Sequence, residues 1–352
     1  MTVGSGICAQ FGFAAESTVG TPVTVTKFLK HTEAAGDGLR LITVDDQGLG
    51  GCYDAPTVDR TVTTGSDAQR QVTLNVASKQ FGLWWKQMVG SSATATIISS
   101  GPLYRQIHTQ GDLAGKSLTV QFSFPETTAT GTNRAFTYKG CKVTEWELSQ
   151  RRNDFLKLQA TIDAWGEDTA TGLAAAAYPS PTTPNFNELF RWNCFSAKIG
   201  GTASVASGLT SVSGGAEIKG CKGVTVKGGL NLRTDAFYSG GNGVKSEQLR
   251  NDFFEFTGDL DLDFADRTQV YDLFAAYTTT VLEFSWIGKQ DVGSGQFAKL
   301  SLIFPQVKLQ KGSPNAGGPG AVEQPVSWKA YADPAGVLPV IQIQYDSTDT
   351  AL

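Results

Sequence analysis

Several kinds of residue are scarce in this chain of 352 residues. It holds two histidines, two methionines and five cysteines. The cysteines (Cys8, Cys52, Cys141, Cys194 and Cys221) are odd in number and none stands in a C-x-x-C pair. That argues against a disulfide framework and a structural zinc, and reads as small buried thiols. No apolar run reaches the roughly 18 residues that span a bilayer, so no membrane partner is expected. The start, MTVGSGICAQFGFAAE, lacks the basic residues and long apolar stretch of a secretory signal, and folding in a cytoplasm is expected. Basic residues do not dominate either: the net charge is −4 and the pI near 5.3, which leaves no footprint for tight nucleic-acid binding. His31 and His108 stand in no metal-ligand spacing and no G-x-S-x-G elbow occurs, so no catalytic residue, metal ligand or cofactor is assigned.

Glycine is abundant, with 40 residues, and apolar residues make up 40% of the chain. That is enough to bury a core, and the length suits two ordinary domains. Short alternating segments lie between Gly, Asn, Asp, Ser and Pro clusters, among them Val72–Val76, Leu118–Phe124, Phe155–Ala160 and Val340–Tyr345. They read as strands with one buried and one wet face.

Two motifs fail their context. GDLAGKSLTVQF (Gly111–Phe122) has Gly-Lys-Ser, but three residues rather than four separate Gly111 from Gly115, and a strand pattern follows where a phosphate loop opens a helix. It reads as a turn into a strand. Asp259, Asp261 and Asp263 alternate as in a calcium loop, yet the sixth and twelfth positions are Phe264 and Val270, where Gly and Glu are needed. Alternation puts Leu260, Leu262 and Phe264 on a core and the aspartates on a wet face, with a weak surface cation site as the minority reading. Three carboxylates on one face repel and so belong in high dielectric. The acid pairs Glu145/Glu147 and Glu167/Asp168 read as solvated faces, because the chain alone cannot set them across a cleft.

A repeat runs through the chain. Val72-x-Leu74-x-Val76 precedes Phe81, Trp84, Trp85 and Met88, at helical spacing, with Ser78 as a plausible cap. Leu260-x-Leu262-x-Phe264 precedes Val270, Leu273, Phe274 and Tyr277, with Asp266 in the capping place. These predict helices over about 79–90 and 266–278. Strands follow each: Leu118–Phe124, Phe136–Leu148 and Phe155–Trp165, then Leu282–Trp286, Phe297–Leu309 and Val322–Tyr331. Before each strand–helix unit lies a Gly- and charge-rich excursion, 36–54 and 233–252. Excursions of roughly 20 residues are often interaction segments. The expectation is two tandem modules, 1–165 and 186–352, joined by a linker or crossing strap, 166–185. The fold class is mainly β: β-sandwich or curled-sheet modules, each with one short helix and a long hairpin.

Five segments resemble major tail tube proteins of long-tailed, non-contractile bacteriophages (siphophages), of the kind common among phages of actinobacteria. They are FGFAAESTVGTPVTVTKFL (Phe11–Leu29), GDLAGKSLTVQF, FTYKGCKVTEWELS (Phe136–Ser149), DRTQVYDLFA (Asp266–Ala275) and YDSTDT (Tyr345–Thr350). None is catalytic; the likeness lies in their order and spacing. It implies sheets that join into a β-barrel ring on oligomerisation, rings that stack into a tube, and a lumen that holds the tape measure protein and passes double-stranded DNA without sequence-specific binding. It also implies tail terminator and distal tail proteins at the ends, a place in the virion and assembly in the host cytoplasm. Two modules per chain favour a homotrimeric pseudo-sixfold ring, with a homohexamer as the alternative. The hairpins supply candidates for contacts between subunits or rings: Asp37, Arg40, Asp45, Asp46 and Tyr53, then Arg233, Phe237, Tyr238, Lys245 and Glu247. Asp259, Asp261 and Asp263 are lumen candidates, with an outward solvated face equally compatible with alternation. Another tail ring or adhesin is the second reading, and a glycan-acting enzyme the third.

Overall fold

Runs in which every second residue is apolar form strands that bury one face and wet the other. The computed structural model describes residues 6–45, 58–93, 96–98, 101–126, 132–180 and 187–352. The first half contains β1 (Gln10–Ala15), β2 (Lys27–Phe28), β3 (His31–Asp45), β4 (Thr61–Asn75), α1 (Gly82–Val89), β5 (Gly90–Ser92), β6 (Thr96–Ile97), β7 (Tyr104–Gln110), β8 (Leu118–Pro125), β9 (Asn133–Arg151), β10 (Lys157–Ala164) and β11 (Gly166–Asp168). The second contains β12 (Phe195–Ile199), β13 (Thr202–Ala206), β14 (Leu209–Ser213), β15 (Ala216–Glu217), β16 (Cys221–Gly229), β17 (Glu255–Asp263), α2 (Tyr271–Ala275), β18 (Thr280–Gly293), β19 (Gln296–Lys311), β20 (Glu323–Ala330) and β21 (Gln342–Ser347). The fold is mainly β, as the alternation implies, and the sheet does not close into a barrel within one chain.

Eight strands form one antiparallel sheet in the order β3-β4-β10-β9-β16-β17-β20-β19. The first four come from one half of the chain and the last four from the other. Val72, Leu74, Leu158, Leu148, Val226, Leu260 and Trp328 are buried on one face. The other face is wet: Asn75, Lys157, Ser149, Thr225, Asp259 and Ser327 stand side by side in a row across six strands.

The pairing pattern repeats between halves. β10 and β20 are both eight residues long. Each begins opposite the last residue of the strand before the helix, Lys157 against Asn75 and Glu323 against Asp263. From that register, Asp163 beside Lys142 corresponds to Lys329 beside Lys308.

β9 and β19 each serve two layers. Residues 133–141 of β9 pair with β8, and 142–149 pair with β10. Gly140 lies at the change, with φ 61°, and a Cβ there would sit 2.7 Å from the Trp165 ring; glycine alone meets both demands cheaply. The outer layers are β2-β1-β8-β9-β11 and β15-β12-β18-β19-β21-β7. β7 belongs to the first half by sequence, yet it pairs with β21 from Thr109↔Gln342 to Tyr104↔Ser347. One hydrophobic cluster therefore runs through both halves. Phe81, Trp84, Trp85 and Met88 are fully buried in it, and Trp146 Nε1 donates to the Met88 carbonyl at 2.9 Å.

The helices are shorter than their spacing predicts. Ser78 does not cap α1: its Oγ accepts from the Glu188 N–H at 2.9 Å, and Gln80 has φ 65°, so the helix starts at Gly82. Asp266 holds the N–H and hydroxyl of Thr268, closing a local turn, and α2 waits until Tyr271. Tyr277 falls beyond α2 with φ 50° and is 49% exposed. Leu273 and Phe274 pack half-buried on the core, and Val270 is buried. Phe264, expected to face the core, lies past the end of β17 and is exposed. The Gly111–Ser117 stretch is a turn into β8, and Lys116 Nζ donates to the carbonyls of Gly90 and Asp112. Within 166–180, β11 pairs with β9, and Gln121 holds Gly172 and Ala174; 181–186 lies outside the described residues.

Leu148 sits at the centre of the eight-stranded sheet and is 1% exposed. Leu148→Ala is expected to cost about 2–5 kcal/mol of stability, measured by urea unfolding.

Candidate assembly interfaces

A strand edge exposes unpaired N–H and C=O groups and invites another strand. Among the described residues, β3 pairs in the sheet with β4 alone, so its outer edge is open. At the far end, residues 308–311 of β19 pair with β20 on one side and with no described strand on the other. Where the halves meet, two such edges have joined: β9 and β16 pair from Arg151↔Gly223 to Glu145↔Gly229. Gly228 lies in that junction, and a Cβ on it would stand 2.3 Å from the Trp146 ring.

The excursion 233–252 forms no regular strands, yet its arms meet: Leu232 bridges Arg250 antiparallel, and the Arg233 and Ser246 N–H groups donate to the carbonyls of Leu249 and Ala236. Its far part lies on the first half. Val244 bridges to Ser66, and a Cβ on Gly65 would touch both Gly243 and the Phe237 ring. Lys245 has no exposed side-chain surface. Its Nζ lies 2.7 Å from both oxygens of Asp163 and 3.4 Å from Asp67. Gln248 donates to Asp163 at 2.8 Å. Glu247 accepts from the buried Lys142 and from the Gly115 N–H, each at 2.7 Å. Arg233 pairs with Asp235, and its guanidinium lies 5.8 Å from the centre of the exposed Tyr238 ring. Lys245 and Glu247 were expected at contacts between chains; they join the two halves of one chain. The sheet register places the wet-face ends of β4, β10 and β9 under this excursion, which spacing along the chain does not reveal.

Arg40 completes the cluster with a two-point bond to Asp67 at 2.8 and 2.6 Å. Burial pulls the Asp67 pKa upward, but the Arg40 and Lys245 contacts outweigh it, and the net shift is downward. For Asp163, burial outweighs its contacts and the pKa is raised. Burial lowers that of Lys142, against the pull of Glu247. The stability Asp67 contributes is therefore present above its unfolded pKa and lost as pH falls through the lowered one. Asp163 acts in the opposite sense: its contribution is fully present at low pH and lost as pH rises through the raised value.

The first excursion begins as a long hairpin, β3 with β4 from His31↔Leu74 to Asp45↔Thr61. Asp37 and Asp45 are exposed; Asp46 and Tyr53 lie outside the described residues. Leu41, Val44 and Val62 are 61%, 57% and 59% exposed on its arms, an apolar surface uncovered in a single chain.

Asp259, Asp261 and Asp263 lie on the wet face of β17. They are not a bare acidic row. Lys222 stands 3.6 Å from Asp261, 2.9 Å from Asp263 and 3.2 Å from Glu323, and those contacts raise its pKa. Ser327 donates to Asp259 at 2.6 Å. Lys227 pairs with Glu147, and Lys329 with Glu255, so the wet face is mixed in sign. Glu167 accepts from Tyr138, and Asp168 from Thr171. His31 lies edge-on to Phe11 and Phe122. His108 is buried in β7, and burial lowers its pKa to about 3.

The model of a family described as phage tail tube protein matches residues 6–330. No curated protein matches the chain.

Breaking a buried ion pair leaves an uncompensated charge. Lys245→Met is expected to cost about 3–5 kcal/mol by chemical denaturation. Adding Asp163→Asn should return part of that loss, and a double mutant no more stable than Lys245→Met alone would count against the pairing.

Proposed function

The chain belongs to the phage tail tube protein family, and on that premise we propose that it polymerises as stacked rings into the tube of a long, non-contractile tail. The tube is the conduit through which DNA leaves for the host. The carrying observation is the eight-stranded sheet, which joins two similar halves edge to edge at β9 and β16 and leaves an open edge at β3 and another at β19. Repeating the inner junction between chains brings the β19 edge of one copy to the β3 edge of the next. Closure then removes the remaining edges. Three chains supply six halves, so a trimeric, pseudo-sixfold ring follows most directly.

In this ring the wet face lines the lumen, with Asp259, Asp261 and Asp263 toward it. Duplex DNA carries one negative charge per about 1.7 Å of its axis, so a strongly basic wall would hold it. The mixed wall, with Lys222 and Lys227 tied to carboxylates, favours passage without sequence reading. The tape measure protein occupies the same lumen during assembly in the host cytoplasm, and terminator and distal tail proteins close the two ends. The phage is of the siphophage type common on actinobacteria.

Negative-stain electron microscopy of concentrated protein, averaged end-on without imposed symmetry, tests this. Hollow stacked rings with three repeating outer features are expected. Six equal features would replace the trimer with a hexamer. Rings that never stack would point to another tail part, and solid monodisperse particles would end the tube reading.

A further inference from the structure

Within one chain, the second-half excursion reaches back over the first half and seats its charges on the wet-face ends of that half's strands. Glu247 meets Lys142, and Lys245 meets Asp163 and Asp67. The pairing repeat gives each of these receiving residues a counterpart in the second half. Lys142 and Asp163 are cross-strand neighbours, and so are Lys308 and Lys329. Asp67 stands eight residues before the end of β4, and Glu255 eight before the end of β17.

The counterpart site differs in charge. Lys142 is matched by another lysine, Asp163 by a lysine of opposite sign, and Asp67 by a glutamate. Lys329 holds Glu255 at 2.8 Å. Lys308 lies 4.3 Å from the centre of the Tyr277 ring and pairs with no carboxylate among the described residues. Lys311, exposed, extends the basic edge. A lysine-bearing excursion like the second would be repelled here; an acidic one would be drawn in.

The first excursion has that character. Between Arg40, which is tied to Asp67, and Arg60, the stretch Leu41 to Thr57 reads LITVDDQGLGGCYDAPT, with Asp45, Asp46 and Asp54 and no lysine or arginine. Its arms also carry the uncovered Leu41, Val44 and Val62. This excursion leaves β3, the strand whose open edge is the counterpart of the β16 edge seated on β9.

We propose that Lys308 and Lys329 form the receiving site for the acidic β3–β4 excursion of a neighbouring copy of this chain. The inference rests on the ring reading above. It makes the two junctions of the ring chemically distinct: a Lys245-into-aspartate junction inside each chain and an aspartate-into-lysine junction between chains. Neither excursion then fits the other's place, so halves alternate in fixed order and chains add head to tail.

The test begins with assembled wild-type rings made from isotope-labelled and unlabelled copies, treated with a carbodiimide that joins touching amines and carboxylates. Mass spectrometry is expected to find Lys308 or Lys329 joined to an aspartate between Asp37 and Asp54 of a different copy. In parallel, Lys308→Glu with Lys329→Glu should raise the protein concentration needed for ring formation by about tenfold or more, while the unfolding temperature of the single chain falls only slightly, because the Lys329–Glu255 pair it breaks is exposed. Adding Asp45→Lys to that variant should recover part of the loss. Wild-type rings that give no such cross-link, together with a charge-reversed variant that assembles at the wild-type concentration, overturn this inference and leave the tube reading standing. A wild-type protein that forms no rings overturns both.

Discussion

Unpaired strand edges govern this structure. Each half of the chain builds four strands of the inner sheet, and four strands alone would leave two open rows of backbone donors and acceptors. The chain covers one pair of those rows itself, by running β9 against β16. That single junction makes the rest coherent. It aligns the buried faces of both halves over one hydrophobic cluster. It brings β7 of the first half into line with β21 of the second, and it lays the wet-face residues of both halves in common rows.

Pairing alone tolerates slippage, since a shift of one residue exchanges the two faces. Three features bind the halves in a single register. Trp286 of β18 donates to Gln150 of β9 at 2.7 Å in the core. Arg105 and Asp346 form a two-point bond along the β7–β21 pairing. Over the wet face, Lys245 enters between Asp67 and Asp163. Buried ion pairs add little net stability because desolvation opposes their attraction. Their value is in selection: a displaced excursion would leave Asp163 and Lys245 without their ionic partners and Asp67 with Arg40 alone. A chain built this way carries the two open edges of its inner sheet, at β3 and at residues 308–311 of β19, on one continuous sheet.

The repeat was legible because it lies in local spacing. Alternation at Val72–Val76 and Leu260–Leu262, and helical spacing from Phe81 to Met88, depend on residues within a few positions of one another. Helix ends were less legible. Ser78 and Asp266 have the side chains of caps, but one accepts a bond from Glu188 and the other closes a turn on Thr268. Competition among hydrogen-bond donors decides such cases, and the donors can come from anywhere in the chain. The same holds for the aspartate row on β17: its sequence shows three repelling carboxylates, while Lys222 arrives from the neighbouring strand.

Local patterning was enough to read the β class and the doubled strand–helix spacing, because side-chain periodicity and turn chemistry act over short distances; the likeness to tail tube proteins rests instead on the order of five segments. Composition also set 36–54 and 233–252 apart as Gly- and charge-rich stretches. Where 233–252 lies, across the first half of the same chain with Lys245 between Asp67 and Asp163, follows from the tertiary structure alone. Lys245 and Asp163 are separated by 82 positions in the chain and meet at 2.7 Å. Their meeting follows from which strand edges pair, a choice made by burying both halves in one core, and no local pattern encodes it.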